Sequence, residues 1–172
     1  MDLIIRNAQI FDGSGKQASH GDVAVKAGMI VAIGKSLDVK AVEEIDAGGL
    51  SLMPGIIDSH THFDAQITWD PTLAPSSSLG VTSVIIGNCG FTIAPCRPDD
   101  RDLVMRNLTQ VEGMSIDVLR QGVNWNFESF PQYMDAIEQG GMSANVAAFI
   151  GHSSIRTYVM GADAVERPAN SC

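Results

Sequence analysis

The sequence predicts an α/β fold in two parts, a short all-β segment followed by strands that alternate with helices. Residues 1–54 contain short apolar runs separated by glycine-rich turns. Residues 55–172 contain longer apolar runs separated by stretches in which apolar residues recur at helical spacing. Alternating strands and helices form parallel sheets, and in a barrel the carboxyl ends of the strands meet at one mouth.

The all-β part begins with two short apolar runs, residues 3–5 and 10–11. Residues 12–15 form a turn whose two glycines can adopt positive φ. Residues 23–25 and 29–33 then predict a hairpin around a glycine-containing turn. So few strands cannot bury both faces of a sheet, and we expect this segment to require further strands for a core.

Three apolar runs predict the buried strands of the second part. They lie at residues 50–57, which cross its boundary, and at residues 80–87 and 145–151. Two helices are predicted between the last two runs. The first is N-capped by Asp99 or Asp100 and buries Leu103, Val104, Leu108 and Val111. The second opens at Ser129 with a capping box and ends at Gly140 and Gly141.

Histidine and cysteine side chains follow the first two of these strands. His60 and His62 lie two residues apart, so in an extended strand their imidazoles would share one face. Cys89 leaves the next strand between two glycines that permit a tight turn. Imidazole and thiolate are typical zinc ligands, and this pattern predicts a metal site, although satisfied histidines and a small core cysteine are the structural alternatives.

Residues 54–66 (PGIIDSHTHFDAQ) and 80–95 (GVTSVIIGNCGFTIAP) resemble the metal-dependent amidohydrolase superfamily, and most closely the N-acyl-D-amino-acid deacylases, or D-aminoacylases. The resemblance continues through residues 111–114, 124–131 and 151–156. It implies the N-terminal part of a small β-sandwich over residues 1–54. Residues 55–172 would then form the first three strands of a TIM-like (β/α)8 hydrolase barrel.

The resemblance implies zinc as the cofactor, held by His60, His62 and Cys89. Asp64 and Gln66 follow the histidines and are predicted to contact substrate, with hydrogen bonding inside the loop as the alternative. His152 follows the third strand and is also predicted to contact substrate, rather than the metal, with a structural role in a Gly-His-Ser turn as the alternative.

In this family the catalytic acid/base is an aspartate on the last barrel strand, and two further histidine ligands come from middle strands. We expect all three beyond residue 172, because a complete (β/α)8 barrel takes about 250 residues. The chain therefore resembles the front of a longer protein, and we expect it to be inactive by itself.

The function implied for the complete protein is zinc-dependent hydrolysis of linear amide bonds in small-molecule N-acyl-D-amino acids, giving a D-amino acid and a carboxylate. When bound, zinc would activate water and polarise the amide carbonyl. Two alternatives stay open. The first is another amidohydrolase, such as a cyclic-amide hydrolase or a deaminase, and the second is a non-catalytic scaffold on the same fold.

Composition limits the cellular compartment and the classes of binding partner that we expect for the chain. A formal net charge of -9 argues against nucleic-acid or anionic-membrane binding, since either needs a basic surface. The three cysteines are an odd number and do not form a disulfide framework. The sequence shows no signal peptide and no apolar stretch that could span a bilayer, and we expect a cytoplasmic location. It does not predict an oligomeric state.

Overall fold

A computed structural model describes residues 1–170 as two compact units, Met1–Pro54 and the residues from Gly55 onward. The last two residues of the predicted barrel segment, Ser171 and Cys172, lie outside the described residues. Each unit has its own sheet.

The N-terminal unit is one five-stranded sheet, and two of its predicted runs form a single strand. Its strands are β1 (Leu3–Ile10), β2 (Ser19–Lys26), β3 (Met29–Gly34), β4 (Glu43–Asp46) and β5 (Ser51–Leu52). Their order is β3-β2-β1-β4, with β5 also paired to β1. A register shift between Ile5 and Ala8, where Asn7 has a φ of 54°, lets β1 span both runs.

The predicted hairpin is confirmed. Strands β2 and β3 are antiparallel, and Ala27 (φ 51°) and Gly28 (φ 74°) are both left-handed at the turn between them. A two-residue turn with positive φ at both positions matches the right-handed twist of the flanking strands. On β3, Met29 and Ile30 are 68% and 63% exposed, so this sheet carries uncovered apolar surface.

A buried aspartate ties the segment after β3 to the sheet. Asp22 accepts hydrogen bonds from the Leu37 and Asn7 amides and pairs with Arg6, which also pairs with Glu44. The backbone hydrogen bond from Leu37 is the main cause that lowers the pKa of Asp22. The charge is therefore buried with several partners, which offsets its desolvation.

The second unit contains a parallel sheet of three strands, β6 (Ile56–Asp58), β7 (Val81–Ile86) and β8 (Asn145–Ala148), in the order β6-β7-β8. Three helices lie between β7 and β8 in the chain, and a fourth follows β8. The helices are α1 (Arg101–Glu112), α2 (Ile116–Gly122), α3 (Phe130–Gly140) and α4 (His152–Met160).

The apolar run 50–57 is not one strand, contrary to the prediction. Its first part is β5 of the N-terminal sheet, and its second part is β6 of the parallel sheet. Pro54 interrupts the run because proline has no N–H to give to a ladder. Nor is β6 buried, since it is an edge strand on which Ile56 and Ile57 are 49% and 67% exposed.

The helix predictions are partly right. Ser129 forms the predicted capping box with Gln132 at the start of α3, and Gly141 ends that helix in a left-handed conformation. Asp100 is the N-cap residue of α1, as predicted, but its side chain makes no capping hydrogen bond. A 3-10 turn, Pro98–Asp100, precedes the helix. The residues that α1 buries are Val104, Met105 and Leu108.

Two helices were not predicted. Helix α2 is short, and its N-cap Ser115 accepts from the Val118 amide. Helix α4 occupies the segment that was predicted as a Gly-His-Ser turn, and His152 is its first residue. Its β-branched and hydroxyl residues have weak helix propensity, which explains why the sequence pattern did not reveal it.

The core of the second unit centres on α3 and β7. Tyr133 is fully buried and donates a hydrogen bond of 2.8 Å to the Asp64 carbonyl oxygen. Around it lie aliphatic side chains from β7 and the helices, including Ile86, Leu108 and Leu119. Within residues 1–170, no helix combines the length and the apolarity needed to cross a membrane.

Candidate metal centre

Three residues that the sequence singled out come together at one end of the parallel sheet. His60 Nε2 lies 3.3 Å from Cys89 Sγ, and the ring centroids of His60 and His62 are 5.4 Å apart. Each of the three residues offers one ligand atom, and these atoms lie within 4.8 Å of one another. The predicted metal ligands therefore form a cluster.

The donor atoms fit a zinc-like ion. Zinc binds nitrogen at about 2.1 Å and sulfur at about 2.3 Å, which separates two tetrahedral ligands by about 3.6 Å. The distance of 3.3 Å between His60 Nε2 and Cys89 Sγ is slightly shorter than this spacing. All three ligand atoms lie within 4.8 Å of one another, so a small adjustment would bring them to it. Nδ1 of His62 is buried and lacks a hydrogen-bond partner among the described residues, and burial is the main cause that lowers the pKa of His62. A lowered pKa favours the neutral imidazole, which is the form that binds metals.

The histidines do not reach this cluster by strand alternation. Strand β6 ends at Asp58, so His60 and His62 lie in an irregular segment after it. This segment is attached to β7 instead, because the Thr61 amide and hydroxyl both donate to the Ile85 carbonyl oxygen, at 3.1 and 2.8 Å. The expected cluster is present, but the reason for it differs from the predicted one.

Cys89 sits in a tight left-handed turn. It has a φ of 57°, and the flanking Gly87 and Gly90 have φ values of 80° and 79°. A non-glycine residue in this region costs about 1–3 kcal/mol and persists only where its surroundings hold it. Asn88 does so by donating from its side-chain amide to the Ile85 and Thr61 carbonyl oxygens, at 2.8 and 3.3 Å.

Asp64 lies inside the unit rather than on its surface. Its side chain is fully buried, and Oδ2 accepts a 3.1 Å hydrogen bond from the Gly87 amide. Burial raises its pKa to about 7. A fully buried carboxylate offers no surface to a substrate, so the predicted substrate contact of Asp64 has no support in this geometry.

The other two predicted substrate residues lie at the surface or in a loop. The Gln66 side chain donates to Asp70 and to the Ala74 carbonyl oxygen, at 2.9 and 3.0 Å, which matches the loop-bonding alternative. His152 is exposed. It lies beside the cysteine turn, because a Cβ built on Gly90 would be 3.7 Å from His152 Cβ. Substrate contact by these residues stays a prediction.

Glu112 is a buried acid that sequence reasoning did not single out. Both of its carboxylate oxygens are buried, and neither has a hydrogen-bond partner within residues 1–170. Burial first, and the neighbouring Asp64 carboxylate second, raise its pKa to about 8. Glu112 lies in residues 111–114, which carry part of the family resemblance, but that resemblance gave it no role. A glutamate at the end of an amphipathic helix is ordinarily solvent-exposed.

Glu112 makes the stability of the metal-free chain depend on pH. Because its folded-state pKa lies near 8 and its ordinary value is 4.5, the folded state holds a proton that the unfolded state releases between those values. Stability from this group therefore falls as pH rises, by up to about 1.4 kcal/mol per pH unit. We expect Glu112→Gln to be more stable than the parent at pH 8 and to lose that advantage near pH 5.

Urea unfolding of both metal-free proteins at the two pH values measures this difference. Asp64 and Tyr133 face the same carboxyl group and remain in both proteins. Because Asp64 and Glu112 interact, the difference between the two profiles measures the titration of Glu112 together with its coupling to Asp64. Parallel stability profiles for the parent and Glu112→Gln would show that Glu112 does not titrate differently in the folded and unfolded states.

Comparison with known proteins gives consistent matches. The model described as "Amidohydrolase family" matches residues 43–171. The chain is 38% identical to an N-acyl-D-aspartate deacylase of Alcaligenes xylosoxydans xylosoxydans over 92% of this chain and 30% of that protein. It is 35% identical to a D-aminoacylase of the same organism, over 92% of this chain and 31% of that protein. The chain thus spans about 30% of the length of these relatives.

A solved structure shows the same similarity in three dimensions. The N-acyl-D-glutamate deacylase of Bordetella bronchiseptica, crystallised with zinc and a phosphonate inhibitor that mimics the tetrahedral intermediate, superposes with a TM-score of 0.74. The two proteins are 30% identical, and the match covers 93% of this chain and 31% of that one.

Proposed function

Because this chain belongs to the D-aminoacylase family of the metal-dependent amidohydrolases, we propose that it forms the metal-binding part of a zinc-dependent N-acyl-D-amino-acid deacylase. The observation that carries the proposal is the convergence of His60, His62 and Cys89, whose ligand atoms lie within 4.8 Å of one another. A non-catalytic scaffold would have no need for this ligand set.

Each of the three residues has a defined part in this proposal. His60 and His62 bind zinc through neutral imidazoles, and Cys89 binds it as a thiolate, which zinc favours as a soft ligand. When bound, zinc would activate water and polarise the scissile amide carbonyl. His60 and Cys89 are exposed, so a substrate can approach the centre from their side. The acid/base carboxylate is proposed to lie outside residues 1–172.

The remaining expectations become part of the same proposal. Apolar residues are exposed on β3 of the first sheet and on β6 of the second, which is typical of sheets that other strands cover. We propose that the N-terminal sheet belongs to a β-sandwich and that β6-β7-β8 belong to a TIM-like barrel. In this proposal His152, which is exposed beside the Cys89 turn, contacts the substrate. The protein is proposed to act in the cytoplasm on small N-acyl-amino acids.

Metal binding tests the ligand set, and hydrolysis tests the reaction. We expect the purified chain to bind one equivalent of zinc, and the double variant His60→Ala, His62→Ala to bind none. We expect no hydrolysis of N-acetyl-D-methionine by the chain above the rate of that variant. Equal zinc binding by the two proteins would contradict the proposed centre.

A test of the substrate class requires a protein that extends past residue 172. If the reading frame continues past codon 172, the extended protein should hydrolyse N-acetyl-D-methionine in preference to the L-enantiomer. The His60→Ala, His62→Ala variant of the extended protein is the matched control. Preference for the L-enantiomer, or for a cyclic amide, would contradict the proposed deacylase activity.

A further inference from the structure

We propose that Asp64 is a positioning residue that holds the Cys89 turn in place for metal binding, and that it does not contact the substrate. This inference rests on the proposed metal centre and extends it to a residue outside the ligand set. Its basis is the buried hydrogen bond of 3.1 Å from the Gly87 amide to Asp64 Oδ2.

The hydrogen bond joins the two segments that carry the ligands. Asp64 follows His62 by two residues, and Gly87 precedes Cys89 by two residues. The bond therefore connects the histidine segment with the start of the left-handed turn that contains the thiol. Both its donor and its acceptor are buried, so it is shielded from competition with water.

The position of Gly87 determines where the thiol lies. Gly87 has a φ of 80° and packs so tightly that a Cβ built on it would collide with the Phe149 carbonyl oxygen. From this fixed point the chain turns through Asn88 to Cys89, whose Sγ reaches 3.3 Å from His60 Nε2. A shift of the Gly87 amide would move the thiol relative to both imidazoles.

The network around this bond contains further hydrogen bonds between the two segments. Thr61 donates twice to the Ile85 carbonyl oxygen, and Asn88 donates to Ile85 and Thr61. Asp64 adds an acceptor for the Gly87 amide, at the start of the turn. Groups that orient metal ligands typically change metal affinity by about 10- to 100-fold when they are removed.

The experiment measures zinc affinity and the absorption of the cobalt-loaded chain, because a thiolate–cobalt band reports whether Cys89 is bound. Asp64→Ala leaves the Gly87 amide without its acceptor, and we expect it to weaken zinc binding by about 10- to 100-fold and to reduce the band. Asp64→Asn keeps an oxygen acceptor at the same place, and we expect affinity and band close to those of the parent.

Leu119→Ala is the control for general loss of stability. Leu119 is fully buried in α2 and carries no hydrogen bond to the two segments. We expect it to lower the melting temperature without changing the cobalt band. Should Asp64→Ala fail to fold, Asp64→Ser replaces it with the same expected outcomes, because its hydroxyl is too short to reach the Gly87 amide.

Two results would overturn the inference. One is an unchanged zinc affinity and cobalt band in Asp64→Ala, or in Asp64→Ser if that variant replaces it. The other is an equal loss of both in Leu119→Ala, which would assign the effect to stability alone. A parent chain that binds neither metal would refute the metal centre as well, whereas normal metal binding by parent and variant alike would refute only the positioning role.

Discussion

Cys89→Ser is expected to abolish tight zinc binding while leaving the metal-free fold intact. Serine nearly preserves the volume of cysteine but replaces a soft thiolate with a neutral hydroxyl, which is a poor zinc ligand. The side chain is exposed, so packing changes little. We expect zinc affinity to fall by more than about 100-fold, beyond the effect of removing a group that only orients a ligand. Zinc titration and metal-free melting measure the two quantities.

Cys96 provides the matched control for this substitution. It is a buried thiol, 1% exposed, and burial raises its pKa to about 12. Such a thiol stays protonated and serves as a small core residue. Cys96→Ser is therefore expected to lower the melting temperature and to keep zinc binding. Full zinc binding by Cys89→Ser would show that the thiol at position 89 is structural.

Gly87→Ala is expected to damage both stability and metal binding. Alanine at a φ of 80° is strained, and its Cβ would also collide with the Phe149 carbonyl oxygen beyond β8. Left-handed strain costs about 1–2 kcal/mol, and the collision adds to it, so we expect a total loss of at least about 2 kcal/mol. Because relief of the collision must move the Cys89 turn, zinc affinity should fall as well. Urea unfolding and zinc titration measure these effects.

Gly141→Ala separates the strain from the collision. Gly141 has a similar φ of 68° at the end of α3, but a Cβ there would meet nothing within 4 Å. We expect a loss of about 1 kcal/mol and unchanged zinc binding. Equal effects of the two substitutions on stability and zinc binding would show that the contact with Phe149 does not constrain the turn.

Local signals in the sequence were enough to predict several elements correctly. The hairpin between β2 and β3 follows from alternating apolar residues around a glycine turn, and α3 follows from the capping box at Ser129. These features depend on residues close together in the chain, so a single sequence contains the necessary information. The prediction that Cys89 approaches His60 also relied on a general rule, since parallel strands end at one edge of a sheet.

The remaining errors come from contacts between distant residues. The split of residues 50–57 depends on the pairing of β5 with β1, which the local apolar pattern does not reveal. The buried Asp64 side chain accepts its hydrogen bond from Gly87, which lies 23 residues away. The sequence therefore predicted which side chains gather at the centre, but not the hydrogen bonds that hold them there or the true place of the aspartate.

The Ile85 carbonyl oxygen accepts hydrogen bonds from the Thr61 amide, the Thr61 hydroxyl and the Asn88 side chain. The histidine and cysteine segments thus share a main-chain atom as their common anchor. Every amino acid has a carbonyl oxygen, so no substitution at position 85 can delete this acceptor as long as β7 persists. A change of the Ile85 side chain therefore leaves the acceptor in place, whereas a change at Asn88 or Thr61 to a side chain that cannot donate removes one of the hydrogen bonds to it.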